Sequence, residues 1–206
     1  PTPPIVPTPP IVPASPIVAY PAYSAYPAYQ CLPSKHKTMN NNLNTPEPQV
    51  RYLFPADYMA DPSAHVFNGR VYIYPSHDWD SGAAFDDDGG HFQMKDYHVL
   101  SLDDVMHGDV TDHGVILRVE DVPWAEKQLW DNDVVEKDGR YYLLYSGKDY
   151  NGVFRLGIAI ADRPEGPFIP QPDPIRGSYS IDPCLFKDDD GTVYAFFGGI
   201  WGGQLQ

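Results

Sequence analysis

Three stretches of this 206-residue chain repeat one layout: ADPSAHVFNGRVYIY from Ala60, DNDVVEKDGRYYLLY from Asp131 and IDPCLFKDDDGTVYAFF from Ile181. In each, an Asp precedes a short strand-forming run, a turn closes on Gly69, Gly139 or Gly191, and a second run starts with Tyr72, with Tyr141 and Tyr142, or with Tyr194. Gly supplies the positive φ of a tight hairpin turn, and the aromatic after it packs on a neighbouring sheet. The copies recur at roughly 50–70 residues with room for about four strands each, the length of a propeller blade. A two-sheet sandwich would show no such recurrence.

The hydrophobic period agrees. RVYIYP, YHVLSL, RYYLLYS, FRLGIAIA and TVYAFFG are short runs of β-branched and aromatic residues bounded by Gly, Asp, Asn or Pro, which is strand patterning. Only SLDDVM and DVPWAEKQLW have helical character, and both are short enough to be turns. The expected class is all-β, a β-propeller in which residues 50–206 supply about two and a half to three blades at four strands each. Such a partial ring leaves blade edges unpaired, and self-association through them is expected.

Residues 1–49 are different in kind. The first 34 carry no charged side chain and open PTPPIVPTPPIVP. Proline this dense removes amide donors and fixes φ, so neither a helix nor a central strand can form, and we read an extended, disordered Pro/Tyr-rich arm. No signal peptide and no span of about 20 uninterrupted apolar residues is visible, and no membrane partner is expected. Met39 would serve as a natural start, which would make the protein cytoplasmic; a start further upstream leaves secretion open. Cys31 and Cys184 set no disulfide framework. A net charge of −14 argues against nucleic acid and fits a neutral ligand better.

In a propeller the innermost strands run parallel around the axis, so equivalent strand starts meet at one mouth. Asp61, Asp133 and Asp182 are expected to converge there. Pro62 and Pro183 follow two of them, and a residue before proline is pushed to extended backbone, so one shared extended state is expected for Asp61 and Asp182. Gathered carboxylates repel, so at least one pKa should rise or a cation should sit among them. An Asp before a strand also makes an Asx turn; recurrence at three equivalent points is what favours use.

Five blocks in order, ADPSAHVF, LWDNDVV, RPEGPF, SIDPCLFKDDDG and GGIWGGQLQ, resemble glycoside hydrolase family 43, in particular its β-xylosidase and α-L-arabinofuranosidase branch. The likeness covers about residues 50–206. It implies a five-bladed propeller that hydrolyses xylose- or arabinose-containing glycans with inversion, using three acids. Asp61 matches the general base that activates water. Asp182 matches the residue that tunes the acid's pKa and orients it. The third, a Glu general acid, lies well beyond the tuning Asp in the family and would fall past Gln206, so this chain is expected to hold the N-terminal part only. Inversion needs acid and base roughly 6.5–9.5 Å apart to admit water, and burial beside a carboxylate keeps the acid protonated. Glu120, Glu126, Glu136 and Glu165 lie in no acid-like block. The alternative is a carbohydrate-binding propeller fragment without hydrolysis.

Other candidates are substrate contacts. Trp130 and Trp201 could stack on the apolar face of a sugar, or pack in the core. Asp133 joins them as a sugar contact. His77 and Asp78, after the strand that begins at Arg70, are expected at the mouth, bonding sugar hydroxyls. The runs Asp86-Asp87-Asp88 and Asp188-Asp189-Asp190-Gly191 lack the alternating spacing of a calcium loop and read as turns. No cofactor is expected to be required and no metal ligand is assigned, though the resemblance leaves room for a calcium on the axis.

Overall fold

A computed structural model describes residues 51–87 and 89–199. The expected arm, 1–49, lies outside the described residues. Among the described residues eleven strands form: β1 Met59–Phe67, β2 Arg70–His77, β3 Asp96–Leu102, β4 Thr111–Arg118, β5 Ala125–Lys127, β6 Asn132–Lys137, β7 Arg140–Asp149, β8 Phe154–Ala161, β9 Ile169–Pro170, β10 Ile181–Lys187 and β11 Val193–Gly198. Among the described residues the one helical element is a single 3₁₀ turn at Val119–Asp121, which reaches only the first residue of DVPWAEKQLW and none of SLDDVM.

The repeats nucleate the sheets. Phe67 pairs with Arg70 and Lys137 with Arg140, leaving two-residue loops Asn68-Gly69 and Asp138-Gly139 with all four residues at positive φ. That is the turn whose twist matches antiparallel strands, and Asn, Asp and Gly are the residues that tolerate it. The third hairpin is wider, since Lys187 pairs with Val193 and Gly191 N–H donates to the Asp188 carbonyl. The second acidic run is therefore a turn, as its Gly implied.

All pairing is antiparallel, in three consecutive sheets. The first runs β1-β2-β3-β4; the second joins β6-β7-β8-β9 with β5 added against β7; the third is the hairpin β10-β11. This is the propeller layout read from the repeats, with one repeat in each sheet. β1 lies beside β6, and β6 beside β10, so the leading strands of the three sheets sit together at the centre.

Strand β7 shows why sheets stack. Leu143 and Tyr145 face the main core with Tyr74, Tyr97, Val99 and Val134, whereas Leu144, between them, joins Leu156 and Ala195 against the third sheet. Alternate residues serve opposite faces, and both faces of β7 are covered, so YYLLY is apolar throughout. Buried hydroxyls and amides tie the first two sheets. Tyr74 Oη–H donates to the Pro164 carbonyl at 2.8 Å, Tyr97 Oη–H to the Ser146 carbonyl at 3.2 Å, and Asn132 Nδ2 to the Tyr74 carbonyl at 3.0 Å. Each bond satisfies a polar group that burial would otherwise penalise by about 1–3 kcal/mol.

Candidate active site

Asp61 and Asp182 do share one backbone state, but it is not the extended one. Their φ angles are +44° and +52°, in the left-handed region that non-glycine residues seldom occupy. Register supplies the reason. Ala60 pairs with Ser76 and Ser63 with Tyr74, and likewise Ile181 pairs with Gly198 and Cys184 with Phe196. Each Asp-Pro pair therefore sits in a β-bulge holding one extra residue, and a bulge turns the backbone and re-aims the side chain. The bulge overrides the preference of a residue before proline, at a cost of order 1–3 kcal/mol per strained residue.

The two bulged carboxylates line one cavity of about 710 Å³ together with Asp78, Trp130 and Asp131. Four of the expected residues are thus brought together. Trp130 is held in place: its indole N–H donates to the Phe92 carbonyl at 2.7 Å, and its ring lies 4.4 Å from Phe154. Met94, Phe92 and Lys148 add to the lining. These sit at or near loop and strand ends with no motif around them.

Asp131 is the residue that sequence reasoning passed over in favour of Asp133. It lies eight residues before Gly139, as Asp61 lies eight before Gly69, and that count was the available signal. Asp131 directly precedes β6, with its carbonyl accepting from Ser146 N–H at 3.1 Å. Its carboxyl is pushed up from 3.8 to about 6, first by burial, then by a hydrogen bond with Asp182 and by the Asp182 charge. Two carboxylates so close share a proton more readily than both ionise. Asp61 is also raised, by burial first and then by the charges of Asp131 and Asp78. A carboxylate of raised pKa is a stronger base.

Asp133 is placed differently. It borders a shallower cavity of about 410 Å³ by the axis, beside Asp61, Asp131, Asp182, His65 and Cys184. Its own side chain is 8% exposed and bound on both oxygens: Oδ1 faces His65 Nε2 at 2.5 Å and accepts from Val134 N–H at 2.9 Å, while Oδ2 accepts from Leu185 N–H at 2.6 Å. It bolts the leading strands of the three sheets together. His77 is not at the cavity beside Asp78. It ends β2, one residue before Asp78, and is bonded to Asp57 and Asp96 instead. Trp201 lies outside the described residues.

This arrangement offers a carboxylate base, a proton-sharing acid pair and an aromatic wall in one cleft. Residues 59–206 match the model of glycosyl hydrolases family 43. A "Beta-xylosidase" of Xylanibacter ruminicola is 71% identical over 159 residues, covering 77% of this chain and 50% of the relative. A "Xylosidase/arabinosidase" of Bacteroides ovatus is 63% identical, covering 77% and 49%. Among solved structures, RS223-Beta-xylosidase superposes with a TM-score of 0.73 at 65% identity, over 76% of this chain and 48% of the other. A beta-xylosidase/alpha-arabinofuranosidase from a compost microbial metagenome, in complex with xylotriose in a calcium-free form, gives a TM-score of 0.71 at 60% identity, over 75% and 46%. The chain thus spans about half the length of the curated relatives it matches. With this match reaching from β1 onward and including Asp61 and Asp182, the chain belongs to glycosyl hydrolases family 43.

Proposed function

We propose that this chain carries the base side of an inverting glycoside hydrolase acting on xylose- or arabinose-containing glycans. The observation that carries the proposal is the meeting of Asp61, Asp131 and Asp182, each from the lead of a different sheet, around one cavity walled by Trp130. The names of the relatives, xylosidase and arabinosidase, favour pentose substrates.

In this mechanism Asp61 takes a proton from a water held over the anomeric carbon, and its neighbours Asp131 and Asp78 make it more basic. Asp182, fixed in the equivalent bulge, orients and tunes the proton donor. Below about pH 6 the Asp131–Asp182 pair keeps a proton and limits the negative charge in the cleft, and above it the Asp131 charge adds to the basicity of Asp61. Trp130 presents its ring to a sugar face, a contact that buries apolar C–H surface.

Beside the axis, the oxygen ligands for a calcium would have to come from Asp61, Asp131 and Asp182 rather than from Asp133. Calcium takes about six to eight oxygen ligands, whereas Asp133 has both oxygens bound by protein groups and its neighbours His65 and Cys184 offer nitrogen and sulfur. No step is assigned to it.

The test is hydrolysis of p-nitrophenyl β-xyloside and α-arabinofuranoside, beside binding of xylotriose. Nitrophenolate departs without a proton donor, so the assay reads the base side alone. Turnover lost in Asp61→Asn supports the proposal. Xylotriose binding with no turnover of either aryl glycoside would instead favour a carbohydrate-binding role.

A further inference from the structure

Outside the cavity lining, where β2 ends and β3 begins, lies a second constellation, unused by the chemistry above. His77 ends β2, Asp96 begins β3 directly opposite it in register, and His98 follows two residues along β3. One donor atom from each lies within 4.8 Å of the others. His77 Nδ1 and His98 Nε2 both face the same oxygen, Asp96 Oδ1, at 2.8 and 3.7 Å. The outer nitrogens are backed by further carboxylates: His77 Nε2 by Asp57 at 3.1 Å, and His98 Nδ1 by Asp112 at 3.3 Å.

The proton count is informative. A carboxylate only accepts, so an outer ring nitrogen bonded to Asp57 or Asp112 carries the hydrogen. A neutral ring then aims its inner lone pair at Asp96, which is repulsive unless a cation lies between. Three carboxylates surround two imidazoles, so even with both rings protonated the cluster keeps a negative charge. Inner nitrogens converging on a carboxylate, with outer N–H groups held by carboxylates, is the arrangement that fixes histidine tautomers at metal centres.

We propose that His77, Asp96 and His98 form a binding site for a divalent cation of the zinc class, with Asp57 and Asp112 orienting the two histidines. Two nitrogens and one oxygen suit zinc, whose bonds are about 2.0–2.2 Å long. Tetrahedral ligands then stand roughly 3.4 Å apart, so the trio needs only a modest side-chain contraction. The three side chains are 9–14% exposed, which leaves solvent access for an entering ion and a water ligand. The site would pin the end of β2. Asp78, the next residue, lines the cleft, and its N–H donates to the Tyr58 carbonyl one residue past Asp57.

The experiment is titration of the metal-stripped 206-residue chain with zinc chloride by calorimetry, followed by cobalt(II) titration read in the visible band. One zinc per chain is expected, together with a raised unfolding temperature. His98→Gln and His77→Gln should abolish uptake. Asp57→Asn and Asp112→Asn, at more exposed positions, should weaken it about 10–100-fold. Cys184→Ser should leave it intact. Absence of uptake overturns the proposal, as does uptake that survives the Asp57 and Asp112 changes or disappears with Cys184→Ser. If the histidine variants do not fold, the two asparagine variants decide.

Discussion

Asp131→Asn tests the shared proton directly. Raising this carboxyl from 3.8 to about 6 corresponds to at most about 3 kcal/mol, at about 1.4 kcal/mol per tenfold change. Asp131 is half-buried, and solvent screens part of that, so roughly 1–2 kcal/mol is the expected size. The sign follows from the raised value. Below about pH 4 the group is protonated in both folded and unfolded chains and costs nothing. As pH rises through about 6 the unfolded chain ionises freely while the folded one resists, and folding loses that energy. Asparagine keeps the shape and never ionises. Urea unfolding of both proteins from pH 4 to pH 7.5 should therefore show the variant gaining roughly 1–2 kcal/mol relative to wild type across that window. Other carboxylates titrate alike in both proteins and cancel in the difference. Removing the charge also removes the second largest cause of the raised Asp61 pKa, so the acidic limb of aryl-glycoside hydrolysis should move to lower pH. A stability difference that stays flat with pH, or falls as pH rises, would refute the shared-proton account.

Further outcomes follow from the same geometry. A Cβ at Gly199 would overlap the Asp182 carboxylate, and Gly199 has φ of +91°, so Gly199→Ala should displace Asp182 and cut aryl-glycoside turnover at least tenfold, as read by initial rates. At Asp61, with φ of +44°, Asp61→Gly should be about 1 kcal/mol more stable than Asp61→Ala in urea, because alanine keeps the strain that glycine relieves. Asp133→Ala strands His65 and the Leu185 N–H and should cost about 2–4 kcal/mol in the same assay, with loss of sheet packing visible by near-ultraviolet dichroism. On the third sheet Phe186 and Phe196 are 52% and 44% exposed, and changing both to Ser should lower the self-association of this chain measured by light scattering.

The fold was legible because its signals are local. Asn68-Gly69 and Asp138-Gly139 each dictate a two-residue hairpin, the flanking runs have strand period, and their repetition dictates stacked sheets. Lengths of periodic runs are read from neighbouring residues alone. Nothing distant has to be known.

The site was only half legible because it depends on height along the axis and on parity, and a bulge disturbs both. Asp131 and Asp133 are two residues apart, so an unbroken strand sends them to the same side, separated by about 7 Å. Side preference could not choose between them. The choice is made by what waits at each height: His65 and the Leu185 amide for Asp133, the open cleft and Asp182 for Asp131. Both determinants come from other sheets. At Asp61 and Asp182 the Asp-Pro motif marked two residues that line the cleft, although the expected extended backbone was replaced by a bulge whose partner strand is needed to reveal it. His77 failed for a different reason. There β2 ends at His77, and the one-residue step to Asp78 separates the cleft from the imidazole, which is held by Asp57 and Asp96. The position that was wrong for substrate contact is the same one that builds the candidate cation site, so the zinc titration also tests whether this end of the sheet has a use of its own.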